Sequence, residues 1–192
     1  RPRLCRCLSP YIIYKPTYPF YRMDELDFNT GFSSTSPLPY VLVTSVDDEG
    51  RPNVMGASWV TRISFEPFLM AVSIGHGRYS NGLIKSCKEF VICYPSAEQE
   101  KSAMYCGTHS GRREDKFAQT GLAASPSKKV RPPTVGECTA AFECKLVQAH
   151  EVGDHTLFVG EVVAVTGNPA RSKHVFATTG KAPLSLDQKG NL

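Results

Sequence analysis

From residue 40 onward the apolar positions recur at two periods, separated by short polar or glycine-rich breaks. Val41, Val43 and Ser45 alternate with Leu42, Thr44 and Val46, a β-branched run that stops at Asp47-Asp-Glu-Gly50. A run of matching character resumes at Pro52 and continues through Val54, Gly56, Ser58 and Val60, so the two predict a hairpin. Proline suits the first residue of a strand rather than its centre, because it donates no ladder hydrogen bond. Residues 69–74 predict a third strand ending at Gly75 and Gly77, and residues 90–94 a fourth, closed by Pro95. Between them Leu83, Ile84 and Cys87 fall at helical spacing and predict a short amphipathic helix over 80–88. Ser96 and Gln99 have the capping-box form, which starts a helix over about 97–105. A further short helix is expected over 114–119, stopped by Gly121, and the proline- and cation-rich segment 126–133 predicts an exposed loop. Two long strands follow, 141–152 and 155–165, with Gly153-Asp154 as their turn. In the second, Leu157, Val159, Val163 and Val165 fall on one face, interrupted by Glu161.

Antiparallel strands with short helices between them predict an all-β-dominated fold with a closed or nearly closed barrel, since closure removes exposed edges. The 192 residues are enough for one domain, expected over 40–192. Residues 1–39 read as an arm: they hold six prolines, and Tyr11, Tyr14, Tyr18, Phe20 and Tyr21 need cover from the domain or from a partner subunit. An apolar content of 41% and a charged content of 21% are ordinary for a soluble globular chain. No apolar run approaches the roughly 20 residues that span a bilayer, so no membrane partner is expected. A net charge of +4 is too weak and dispersed to argue for nucleic acid. Seven cysteines include no Cys-x-x-Cys, and Cys5-x-Cys7 is too tight for a structural zinc pair. Their odd number argues against a fully paired disulfide framework and for a reducing, cytoplasmic setting. The first eight residues lack the apolar region of a secretory signal.

The chemistry concentrates in three stretches. Residues 105–117 set Gly107, Thr108, Ser110 and Gly111 beside Arg112, Arg113 and Lys116, and Gly75-His-Gly-Arg-Tyr-Ser-Asn81 repeats the theme upstream. Small residues that free backbone N–H groups, next to cations, suit a phosphate. A short helix starting near Arg113 would add its dipole and its free first-turn donors. The other reading is a pair of solvated helix caps with surface arginines. Neither stretch is a Gly-x-x-x-x-Gly-Lys-Ser/Thr loop or a Gly-x-Gly-x-x-Gly fingerprint. The third stretch, 53–61, has little side-chain bulk at Gly56, Ala57 and Ser58 beside Trp59. A flat ring could lie against such a backbone, and a tight barrel corner would use the same residues. His76, His109 and His155 are too scattered for a metal site.

Taken in order, these stretches resemble the flavin-reductase-like family with an FMN-binding split barrel, including flavoredoxin-type members. The resemblance runs from about residue 39 to 167. It is carried by Gly50-Arg-Pro-Asn53, Ala57-Ser-Trp-Val-Thr61, Phe65-Glu-Pro67, Gly77-Arg-Tyr-Ser-Asn81, Glu89-Phe-Val91, Cys106-Gly-Thr-His-Ser-Gly-Arg112, Asp115-Lys-Phe117 and Val152-Gly-Asp-His-Thr-Leu-Phe-Val-Gly-Glu161. It implies that Ala57, Ser58, Trp59, Val60 and Thr61 line the isoalloxazine, with Ser73 and Ile74 closing the wall. It further implies that Arg78, Ser80 and Asn81 meet the ribityl phosphate from one side, and Ser110, Gly111, Arg112, Lys116 and Phe117 complete that pocket. A homodimer with flavin near its interface is expected, and His155 is the candidate to bond nicotinamide or flavin; a turn-capping histidine is the plainer reading. Three functions stay open: an FMN-dependent NADH or NADPH oxidoreductase passing electrons to an unidentified protein or small-molecule acceptor, an FMN-binding electron carrier fed by a protein donor, and a barrel interaction protein without flavin.

Overall fold

A computed structural model describes residues 23–179, 182–187 and 189–191. The arm aromatics Tyr11, Tyr14, Tyr18, Phe20 and Tyr21, with Cys5 and Cys7, lie outside the described residues. The chain divides into two units, 1–34 and 35–192. In the first, helix α1 (Phe28–Ser33) is capped by Asp27, whose carboxylate accepts from the backbone N–H of Asn29 and Thr30. That satisfies two of the donors a helix start leaves without a partner.

In the second unit the chain runs β1 (Leu38–Pro39), β2 (Val41–Val46), β3 (Pro52–Ala57), β4 (Val60–Phe65), β5 (Phe68–Gly75), α2 (Tyr79–Cys87), β6 (Glu89–Tyr94). A 3-10 turn (Ala97–Gln99) leads into α3 (Glu100–Thr108), followed by α4 (Lys116–Thr120), β7 (Ala124–Ser125), β8 (Thr134–Val135), β9 (Ala140–Val152), β10 (His155–Thr166), β11 (His174–Ala177) and β12 (Leu184–Leu186). Seven strands form one antiparallel sheet in the order β3-β2-β6-β9-β10-β5-β4. Its two end strands, β3 and β4, are consecutive in the chain and joined at Ser58-Trp59, yet they do not pair with each other. The sheet curls into a barrel that stays split at that place, a strand-rich split β-barrel with short helices.

Two apolar clusters hold it together. Val41, Val43, Met70, Val72, Phe90, Ile92, Cys144 and Phe158 fill the barrel interior. Leu42, Val54, Val91, Cys93, Ala103, Cys106, Phe117 and Val175 form a second layer, between the sheet and α3 with α4. Strand β2 therefore faces apolar partners on both sides, which is why both of its alternating sets are buried. Each fully buried phenylalanine, such as Phe90 or Phe158, contributes about 2–3 kcal/mol by leaving water. The five described cysteines are free thiols and all are buried, where they act as small apolar residues.

Several sequence expectations change. The second strand of the hairpin does not continue to Val60: the chain turns at Ser58-Trp59, and a separate edge strand, β4, pairs with β5. The interior face of β10 is set by Phe158 and Val162, not by Leu157, Val159, Val163 and Val165. Register shifts at Val159/Gly160 and Val162/Ala164 break the strict period of two on which that reading rested. The capping box at Ser96 and Gln99 is present, but it closes a 3-10 turn ahead of α3, which runs on to Thr108. Segment 126–133 is the exposed loop expected, and it is tethered, because the buried Glu143 carboxylate accepts from the backbone N–H of Lys128 at 2.9 Å and of Lys129 at 2.7 Å.

Candidate functional site

Two hollows open beside the split. The first, about 280 Å³, lies along Gly56, Ala57, Ser58 and Trp59, with Ser73, Ile74 and Gly75 of β5 opposite and His155 at the rim. The second, about 190 Å³, lies between the start of α2 (Gly77 to Ser80) and residues 106–111, with Lys116 on its wall. Met55, Arg78 and Gly107 line both, so the two hollows adjoin along one groove.

The groove owes its width to a phenol. A Cβ on either Gly56 or Gly107 would overlap Tyr40 Oη, so glycine at both positions lets α3 and β3 close onto that hydroxyl. The small size of Gly56 thus accommodates Tyr40 rather than a ligand, and Ala57 and Ser58 form the low wall that remains. Burial pushes the Tyr40 phenol up to about 12, so it stays protonated, and it donates to Ala103 O at 3.4 Å.

At the narrow end, no side chain caps α2, and Tyr79 and Ser80 of its first turn line the cavity. Such donors are suited to an anion. The Lys116 amine is only 4% exposed and donates to Cys106 O at 3.0 Å and His109 O at 3.1 Å, fixing the loop that borders the cavity. Burial holds its pKa below the ordinary lysine value. The expectation of a helix start near Arg113 is overturned. Helix α4 begins at Lys116, and the Asp115 carboxylate already accepts from Phe117 N and Ala118 N. Two of its first-turn donors are therefore already occupied.

Comparison with known proteins gives the frame for this geometry. The model of the Flavin reductase like domain matches residues 33–185. The chain belongs to the flavin reductase-like family. An uncharacterized protein of Archaeoglobus fulgidus is 47% identical over 131 residues, which is 68% of this chain and 72% of that one. An NADH-dependent FAD reductase of Streptomyces globisporus is 28% identical over 66% of this chain and 69% of its own length. Among solved structures, flavoredoxin of Desulfovibrio vulgaris (Miyazaki F) superposes with a TM-score of 0.73 at 31% identity, covering 79% of this chain and 88% of that one.

In this flavin reductase-like chain the expected site residues separate into groups. Ala57, Ser58, Trp59, Ser73, Ile74 and His155 border the wider hollow, and Ser80, Ser110, Gly111 and Lys116 the narrower, with Arg78 common to both. Val60 and Thr61 lie on β4 and border neither. Asn81 is 3% exposed, and its amide donates to Ile74 O at 2.9 Å and Thr156 Oγ1 at 3.0 Å, bracing α2 against β5 and β10. Phe117 packs in the second apolar layer. Arg112 reaches across the two stretches, donating to Gly77 O at 2.9 Å and lying over the Tyr79 ring. The His155 ring lies against Trp59 in a tilted contact, 4.7 Å between ring centroids with the planes 34° apart, and its Nδ1 donates to Asp154 at 2.6 Å. That bond is the main cause holding the Asp154 carboxyl below its ordinary pKa. His76 sits 2.6 Å from Glu151, and His109 stacks on Tyr105. Tyr40, Asn53, Met55, Tyr79 and Gly107 border the groove without having been singled out from sequence. Of these, Asn53, Tyr79 and Gly107 fall within stretches that the sequence marked, without a role assigned to them there, and Tyr40 lay outside those stretches.

The donor set fits a planar group carrying a phosphate. It pairs a low apolar wall with an uncapped helix start, hydroxyls at Ser80 and Ser110, and cations at Arg78 and Lys116.

Proposed function

We propose that the chain binds FMN and passes electrons from NADH or NADPH through it to an acceptor. The observation that carries this reading is the shared lining of the two hollows by Met55, Arg78 and Gly107, which makes one groove with a low wall at one end and anion-binding chemistry at the other. Family membership supports it, as does the likeness to a relative named for NADH-dependent flavin reduction. In this reading Ala57, Ser58 and Trp59, with Ser73 and Ile74, hold the isoalloxazine. Arg78, Ser80, Ser110, Gly111 and Lys116 hold the phosphate, and Arg112 clamps the two stretches together. Val60, Asn81 and Phe117 support the walls from behind, and Thr61 faces solvent on β4. Bound FMN would supply the hydride-accepting chemistry, so the protein needs only placement, electrostatics and control of water. His155 would orient a nicotinamide through Nε2, its Nδ1 being fixed by Asp154.

The exposed apolar residues Ile63 and Phe65 on edge strand β4 support a homodimer formed near the groove. Free, buried cysteines support a reducing cytoplasmic location, and no described helix is long and apolar enough to cross a membrane. A second reading, an electron carrier fed by a protein donor, is favoured by the likeness to flavoredoxin.

An absorption spectrum of the purified protein, followed by anaerobic additions of NADH and NADPH, separates these readings. The oxidoreductase is yellow and bleaches near ~450 nm with a nicotinamide. The carrier is yellow and resists both. Colourless protein that does not take up FMN would overturn the flavin reading. In the same preparation Arg78→Ala should weaken FMN by about tenfold while leaving riboflavin within about twofold, because the lost contact is to phosphate. Equal loss for both ligands would remove Arg78 from that role.

A further inference from the structure

Asn53, Gly111 and Tyr79 meet as a partition at the phosphate end of the groove. Asn53, at the start of β3, is 7% exposed and donates from Nδ2 to Ser80 Oγ at 2.7 Å. A Cβ on Gly111 would overlap Asn53 Oδ1 and lie 3.3 Å from Tyr79 Cδ1, so the backbone at Gly111 sits flush against both side chains. These three residues and Lys116 border the narrow cavity on one side and a separate hollow of about 670 Å³ on the other. Arg112 latches the partition, with Nη1 on Gly77 O and its guanidinium 5.4 Å from the Tyr79 ring centroid. Beyond it, the outer hollow is lined by Asp47, Glu114 and Asp115 together with Arg51, Arg112 and Lys116, and Arg51 is bound to Asp47 at 2.6 Å and to Glu49 at 2.9 Å.

We propose that this partition selects the flavin by the substituent on its first phosphate: the chain takes the monophosphate ester FMN and rejects the dinucleotide FAD. The inference rests on the flavin reading above. A phosphate monoester ends at the Asn53–Gly111–Tyr79 contact. A pyrophosphate continuing past it must force that contact open. The tight contact disfavours it, so the discrimination is steric.

Isothermal titration of the full chain, freed of flavin, with FMN and with FAD tests this. The wild type should bind FMN at least about tenfold more tightly than FAD, the scale at which a shaped pocket discriminates. Asn53→Ala and Tyr79→Ala should each reduce that preference by about tenfold, chiefly by tightening FAD. Tyr79 is the first residue of α2 and only partly buried, so its variant keeps the test decisive if Asn53→Ala does not fold; circular dichroism reports which variants are folded. FAD binding as tight as FMN in the wild type, or a wild-type ratio in the folded variants, would overturn the partition's role. Failure of the wild type to bind either flavin is a different result, and it would remove the flavin reading together with this one.

Discussion

Tyr40 and Lys116 border the groove in opposite electrostatic circumstances. The phenol is neutral and stays so: burial raises it from the ordinary 10.0 to about 12. The fold therefore holds the Tyr40 proton more tightly than the unfolded chain does. Its contribution is fully present below pH 10 and is lost as the pH rises from 10 to 12. That amounts to about 2–3 kcal/mol at most. Urea midpoints measured across this window should fall for the wild type and fall less for Tyr40→Phe. The Cys106 thiol, pushed by burial up to about 11, titrates in the same range, so the difference between the two proteins isolates the phenol. Lys116 is a cation lowered by burial, yet its amine meets two carbonyl oxygens that favour the charged form. A residue chosen from sequence as a phosphate cation thus also holds its own loop, and a change there is expected to affect folding as well as binding.

Strand β10 carries the clearest packing constraint. A Cβ on Gly160 would lie 2.6 Å from Phe90 Cζ and 2.8 Å from Cys144 Cβ, both in the filled barrel interior. Gly160→Ala should cost about 1–3 kcal/mol by overpacking, read as a lower urea midpoint with an unchanged slope. Nothing in the one-dimensional pattern marked this glycine, because the bulge beside it moves the interior register off Val159 and Val163. The elements that were legible had self-contained signals: the β2–β3 hairpin with its Asp47–Gly50 turn, α2, the Ser96–Gln99 capping box and the β9–β10 turn. Those missed were set by partners elsewhere. Edge strand β4 presents Thr61 and Arg62 to solvent and is a strand only through its ladder with β5. The short β11 and β12 likewise exist as a sheet with β1. In the groove, the cation- and hydroxyl-bearing stretches were readable by composition. The roles of Tyr40, Asn53 and Tyr79 were not, although the last two fall within marked stretches, since those roles come from contacts with Gly56, Gly107 and Gly111 that only the folded chain creates.

For the whole molecule, the exposed apolar edge is the feature that a lone chain in water explains least well. Phe65 is 89% and Ile63 46% exposed on β4, and unpaired edges of this kind are normally covered or charged. The proposed homodimer predicts a sedimenting species of twice the chain mass, and a combined Ile63→Glu and Phe65→Glu change should shift it to the single-chain mass without loss of β-sheet signal. A wild type that sediments as a single chain would refute the assembly. The split between β3 and β4 has a mechanical consequence of its own. The corner Ser58-Trp59 is the seam of the barrel, the place where no ladder joins the two ends of the sheet, and it is also a wall of the groove. Any molecule lying against that wall while touching Ser73 and Ile74 bridges a gap that hydrogen bonds leave open. Occupancy then acts as a stitch across the seam, slowing amide exchange along both edge strands well beyond the atoms it contacts.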